Sequence, residues 1–385
     1  MTLKQIFGKL HLWLGLASGL VVLIVAGTGT LLVFEDELDE WANKDFYTVA
    51  VPQNTQRVSV DSMYHAAKAY DSSVKITRIY LESKAPEQTA IFYAKKKKTH
   101  TWHIAVNPYT GKVIRAREFD KRFFGVVLNL HRHLCMDEVG KTITHASCLI
   151  FVLMIITGLV LWWPKRWKML KQRTRIAWSS KWKRLNWDLH AVTGFYVHII
   201  LLFISLTGLV FAYPWFSNLV YQLADGKPAP KKEAPANTTK APIKAGFYES
   251  LYEQANEKLP YKGRLTILLP EKDSLAITVN KMNREASVDN VTDVLYFEKG
   301  TGKLLKESLF KNSSTGNKIR RMNLPIHTGK LFGWPTQLLA LIAAIVAFSL
   351  PITGFLIYLG RKKKKVKPAI DPIRIGSKKE ENAVV

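Results

Sequence analysis

The chain has 385 residues, 48% of them hydrophobic and 22% charged, with a formal net charge of +26. A mean hydropathy of −0.02 excludes both an ordinary soluble domain and a solid membrane bundle, so the two characters must alternate along the chain. Much of the positive excess flanks apolar runs, where topology and anionic lipid already account for it, and nucleic acid is set aside as a partner.

Residues 1–34 form an N-terminus and a first span. The apolar run 12–34 is long enough to cross a hydrocarbon core of about 30 Å as a helix. It exceeds a signal-peptide core and continues into Glu35-Asp36-Glu37 without a small-residue cleavage site, so it is expected to stay as an anchor. Segment 35–142 reads as a small α+β domain: a helix at 60–70, β-rich runs at 75–81, 89–93 and 102–106, then the turn Asn107-Pro108-Tyr109-Thr110-Gly111-Lys112 and a return strand. Lys95 to Lys98 are expected at a solvated hairpin tip whose positive field attracts anionic ligands.

A second span covers 143–163 and a third 190–213, separated by the loop 164–189. That loop carries Lys165, Arg166, Lys168, Lys171, Arg173, Arg175, Lys181, Lys183 and Arg184, which places it in the cytoplasm by the positive-inside rule. Trp162, Trp163, Trp178, Trp182 and Trp187 around it read as an interfacial belt in contact with membrane lipid. Segment 214–333 begins with a Pro-, Ala- and Lys-rich linker at 225–246 and then repeats the earlier order. A helix is expected at 247–258, with β-rich runs at 264–269, 275–279 and 294–297. The turn Glu298-Lys299-Gly300-Thr301-Gly302-Lys303 precedes Leu304-Leu305. The fourth span, 334–359, leads into the basic tail 360–385, beginning Arg361-Lys362-Lys363-Lys364-Lys365. With Lys4 and Lys9, this puts both termini inside.

The expected fold class is therefore membrane α-helical, with four spans and two small α+β domains on the outer face. Spacing points to an internal duplication of a helix-domain-helix unit. His11 precedes Thr28-Gly29 by 17 positions, and His190 precedes Thr207-Gly208 by 17; His131 precedes Thr157-Gly158 by 26, and His327 precedes Thr353-Gly354 by 26.

These histidines fall in two layers, His11 with His190 inside and His131 with His327 outside. Imidazoles from different helices can fill both axial positions of a haem iron, so the four are candidate ligands for two non-covalent haems. Taken singly, His11 is most simply an interfacial residue at a helix start. A helix of 26 residues spans about 39 Å, so ligation by His131 needs a helix extension or a folded collar; His131 and His133 otherwise belong to a polar stalk. His145 and His198 lie in spans without repeat partners and form a second tier, as alternative ligands or packed core residues. His65, His100 and His103 show no metal-ligand spacing and read as surface or sheet residues. The only cysteines, Cys135 and Cys148, form neither a redox motif nor a covalent haem-attachment motif, and on one helix they stand too far apart to bridge. No hydrolase, phosphate-loop or dinucleotide motif is present, so electrons must come from another component.

The residues His11 to Gly15, Thr28-Gly29, Phe34 to Leu38, Leu130-His131-Arg132, Thr157 to Pro164, His190, Thr207 to Phe211 and His327-Thr328-Gly329 resemble the PepSY-associated transmembrane proteins over nearly the whole chain. The Asn107 to Gly111 turn is similar to the PepSY signature. The resemblance implies a bacterial inner-membrane protein with two periplasmic PepSY domains. In the ferric-siderophore reductase branch it also implies b-type haem passing electrons outward to Fe(III) chelates. Reduction to Fe(II) would loosen hard-oxygen chelators. The flavoprotein module fused to some relatives does not match this chain, so a quinol or a separate cytoplasmic reductase is the implied donor. The alternative is a non-catalytic PepSY sensor or regulator that binds a peptide or protein. A transporter is disfavoured because no charged residue lies deep in a span.

Overall fold

A computed structural model describes residues 1–96, 100–230, 234–239 and 241–362. Lys97 and Lys98 of the expected hairpin tip, and the tail from Lys363 onward, lie outside the described residues.

Four helices are long and apolar enough to cross a membrane: α1 (Leu3–Leu32), α5 (Asp137–Trp162), α6 (Trp182–Ala212) and α10 (Trp334–Lys362). All but the last start several residues earlier than the apolar runs suggest, because polar helical turns carry them past the apolar stretch. They close into a ring in which α1 touches α5 and α10, and α6 touches the same two. Small residues permit the approach: a Cβ at Gly15 would come 2.9 Å from Met154 Cε, and one at Gly27 would come 3.1 Å from Phe348.

Two shorter helices, α2 (Glu35–Ala42) and α3 (Val60–Tyr70), follow α1, then strands β1 (Lys75–Ser83), β2 (Ala90–Lys96), β3 (His100–Val106) and β4 (Val113–Glu118). The second half has α7 (Pro214–Asp225), α8 (Phe247–Lys258), β5 (Gly263–Leu268), β6 (Ile277–Asn283), β7 (Thr292–Phe297) and β8 (Leu304–Ser308). The expected helices at 60–70 and 247–258 are found within those bounds, and strands occupy each β-rich run. Between α7 and α8 the described part of the linker forms one isolated bridge, Ala236 to Leu275.

The two expected α+β domains do not each keep a sheet of their own. The strands form a single antiparallel sheet in the order β4-β3-β2-β1-β5-β6-β7-β8. β1 and β5 pair at its centre, with Ile79 opposite Ile267 and Leu81 opposite Leu265. Each four-stranded meander would otherwise expose an apolar inner edge, and pairing satisfies its free backbone groups. Alternate residues face α3 and α8, so Ile79, Phe92 and Ile104 share one core with Leu265, Ile267, Val279 and Phe297. Fully burying a side chain of this size contributes about 1.5–3 kcal/mol, which makes the shared core a substantial bond between the halves.

The turns that lead into β4 and β8 are closed alike. Gly111 N–H donates to Asn107 O at 2.9 Å and Gly302 N–H to Glu298 O at 3.0 Å. Both glycines have positive φ, +67° and +71°, a region costly for residues with a Cβ. On the membrane side of the sheet, Asp39 of α2 is buried and binds Arg117 and Arg122, each at 2.9 Å. Lys330 reaches Asp36 at 2.6 Å, joining the second half to the start of α2.

Candidate functional site

Between the sheet and the spans each half inserts one more helix, α4 (Phe123–His133) and α9 (Thr315–Thr328). α4 packs along α1, and α9 along α6. The chain does not continue straight from His131 into the second span. Leu134, Cys135 and Asp137 all have positive φ, between 47° and 55°, which reverses the chain. Thr144 Oγ1 then donates to Arg132 O at 2.8 Å and ties α5 back to α4. This reversal is a folded collar, one of the two arrangements that ligation by His131 would require. It also assigns 123–133, expected within the outer domain, to the helical bundle.

The four repeated histidines converge as two facing pairs. The ring centres of His11 and His190 are 6.3 Å apart with planes at 86°, and those of His131 and His327 are also 6.3 Å apart, at 70°. Each pair takes one ring from each half. Seventeen helical residues separate His11 from Thr28, which puts the layers about 25 Å apart along the helices.

Every ring rests on a Thr-Gly pair of a neighbouring helix. His11 Nδ1 lies 3.0 Å from Thr157 Oγ1, His131 Nδ1 3.0 Å from Thr28 Oγ1, His190 Nδ1 2.9 Å from Thr353 Oγ1 and His327 Nδ1 3.1 Å from Thr207 Oγ1. The adjoining glycine leaves room for the ring edge. A Cβ would stand 3.2 Å from His11 Cε1 at Gly158, 3.2 Å from His190 Cε1 at Gly354, 3.3 Å from His131 Cε1 at Gly29 and 3.6 Å from His327 Cε1 at Gly208. The sequence shows these Thr-Gly pairs as repeat markers, but their role is crossed. Thr28, seventeen residues after His11, serves His131, while Thr157 serves His11. The constant spacing measures the distance between layers.

Two asparagines that sequence reasoning passed over brace the second half. Asn186 Nδ2 donates to Thr353 O and Asn323 Nδ2 to Thr207 O, both at 3.1 Å and both buried. Each stands four positions before a paired histidine, a signal visible in the sequence. Phe7 and Val127 occupy those positions in the first half.

The other histidines stand apart from the pairs. His145 contacts Tyr213 at 5.7 Å, and His198 stacks on Phe195, which in turn stacks on Trp162. His100 bonds Glu118 at 2.5 Å. His103 is buried on β3 between Tyr93 and Phe119. Burial, reinforced by Arg122, pushes its pKa down to about 3, which keeps the ring neutral. Cys135 and Cys148 are both free thiols.

Among the described residues no cluster of three or more His, Cys, Asp or Glu side chains is arranged to hold a metal ion. Each pair therefore suits a metal whose remaining ligands arrive with it, as in a porphyrin. The spacing agrees: two metal–imidazole bonds of about 2 Å each, with half a ring at either end, separate ring centres by about 6 Å. The residues present fit bis-histidine haem in both layers.

The family model described as the PepSY-associated TM region matches residues 9–361. Comparison with curated proteins gave no match.

Proposed function

Because the chain belongs to the family of the PepSY-associated TM region, we propose that it is a haem-binding inner-membrane reductase that passes electrons to periplasmic Fe(III) chelates such as ferric siderophores. In this reading the halves are copies of one helix-domain-helix unit, and the shared sheet joins two PepSY-like segments. The basic loop 164–189 and both termini face the cytoplasm, and the sheet faces the periplasm.

The observation that carries the reading is the equal 6.3 Å separation of two histidine pairs, each built from both halves. His11 and His190 hold the inner b-type haem, and His131 and His327 the outer one. Haem bound there supplies one-electron Fe(III)/Fe(II) chemistry. The protein fixes the rings and keeps water out of the space between the layers. Val197, Leu201, Ala343 and Ala347 form a buried apolar cluster there, with Phe151 and Leu350 against it. Ions and chelates are barred from such a core. A quinol or a separate cytoplasmic reductase delivers electrons at the inner pair, and the chelate receives them on the sheet side.

Proteoliposomes with a reductant enclosed and a ferric chelate outside, read with an Fe(II)-specific dye, test this function. Reduction should require both layers and fail in His190→Ala and in His327→Ala. Undiminished reduction in both variants would contradict it.

A further inference from the structure

We infer that Thr28, Thr157, Thr207 and Thr353 are positioning residues that lock the four paired histidines in one tautomer, with the proton on Nδ1 and the Nε2 lone pair free for the metal. This rests on the haem reading for its purpose but not for its geometry.

A threonine hydroxyl has a single proton. In all four residues that proton has an acceptor in the threonine's own helix: Ile24 O lies 2.7 Å from Thr28 Oγ1, Leu153 O 2.8 Å from Thr157 Oγ1, Phe203 O 2.8 Å from Thr207 Oγ1 and Ser349 O 3.0 Å from Thr353 Oγ1. With the proton given to that carbonyl, the hydroxyl oxygen meets the imidazole as an acceptor and Nδ1 brings the hydrogen. In the outer pair a second acceptor enforces the same answer. His131 Nδ1 lies 3.0 Å from Val25 O, and His327 Nδ1 lies 2.9 Å from Ile204 O. Each of these carbonyls belongs to the residue three before the threonine in question, and a carbonyl can only accept.

A neutral imidazole with hydrogen on Nδ1 has its lone pair on Nε2. No hydrogen bond among the described residues reaches any of the four Nε2 atoms. At His131 and His327 the opposite tautomer would turn the Nδ1 lone pair toward two oxygens and leave a buried acceptor without a donor, at a cost of about 1–3 kcal/mol. The ligands are thus ready before the cofactor arrives. Hydrogen bonding at Nδ1–H also makes the ring a stronger donor to a metal.

The test has two arms. In haem-free, full-length protein carrying 15N-histidine in lipid bilayers, solid-state NMR should show the signals of these four residues, identified by their loss in single His→Ala variants, as the Nδ1–H tautomer. Nε2–H signals would overturn the inference even if haem binds. In haem-loaded protein, Thr207→Val keeps the side-chain shape and the Ile204 carbonyl but removes the hydroxyl acceptor. It should leave the haem bound, raise the midpoint potential of one centre and leave the other unchanged. Two unchanged potentials would overturn the positioning role. A protein that takes up no haem would defeat the functional reading, while the NMR arm would still decide the tautomer.

Discussion

Asp61 and Glu249 cap each other's helices. The Glu249 carboxylate accepts from the amide of Val60 at 2.6 Å, while the Asp61 carboxylate accepts from the amide of Glu249 at 2.9 Å. α3 and α8 therefore meet at their N-termini, where free amides and the helix dipole both favour an anion. Arg57 adds an ion pair to Glu249 at 2.5 Å. Asp61→Ala or Glu249→Ala should each destabilise the sheet unit by about 1 kcal/mol. Because the two caps share one junction, the double variant should cost less than the sum of the singles. Thermal unfolding of the four proteins in one detergent measures the coupling, and strict additivity would show that the caps act independently.

The β1–β5 seam predicts that the halves lose structure together. Leu265 is fully buried, and Leu265→Ala should cost about 2–5 kcal/mol. Hydrogen exchange should accelerate in 90–106 as well as in 277–297. Faster exchange confined to the second half would mean that the core is divided.

Lys281 is fully buried, and its ammonium donates to Asn256 Oδ1 and Leu259 O, each at 2.6 Å, without an ion pair to a carboxylate among the described residues. Burial lowers its pKa from 10.5 to about 8. Between those values the unfolded chain binds a proton that the folded chain has released, so stability rises with pH across this window. Below about 8 both states carry the charge, and the folded state bears the full burial cost. Thermal stability of the wild type, compared with Lys281→Met, should therefore improve from pH 7.5 to 9.5. An equal response in both proteins would remove Lys281 as the cause.

The ring-edge glycines predict a graded pattern. Gly158→Ala crowds His11 Cε1 at 3.2 Å, whereas Gly194→Ala meets Leu350 at an ordinary 3.5 Å. Either change favours a helix intrinsically by about 1 kcal/mol, so neither should unfold the bundle. Gly158→Ala should disturb the inner haem and spare the outer one, and Gly194→Ala should retain both. Redox-titrated absorption spectra separate the centres, and identical spectra in the two variants would contradict the close fit.

Much of this arrangement is legible in the sequence, for identifiable reasons. The helices at 60–70 and 247–258 carry apolar faces at helical spacing, and β2 alternates through Ala90, Phe92 and Ala94, so local pattern alone finds them. The histidine layers follow from counting. The seam does not, because nothing local in β1 names β5 as its partner across nearly two hundred residues. The chain reversal after His133 is hidden too, since Leu134 and Cys135 adopt positive φ without glycine. Finally, the crossed pairing of His131 with Thr28 depends on how α4 lies along α1, which is a property of packing.

The most direct measurement is haem content and the reduced-minus-oxidised absorption spectrum of the purified full-length protein, beside His190→Ala and His327→Ala. Two b-type haems per wild-type chain, with one lost from a different layer in each variant, is the predicted result. A wild type that stays colourless after haem supplementation would contradict the central claim and leave the histidines as packing residues of a PepSY regulator that binds a peptide or protein.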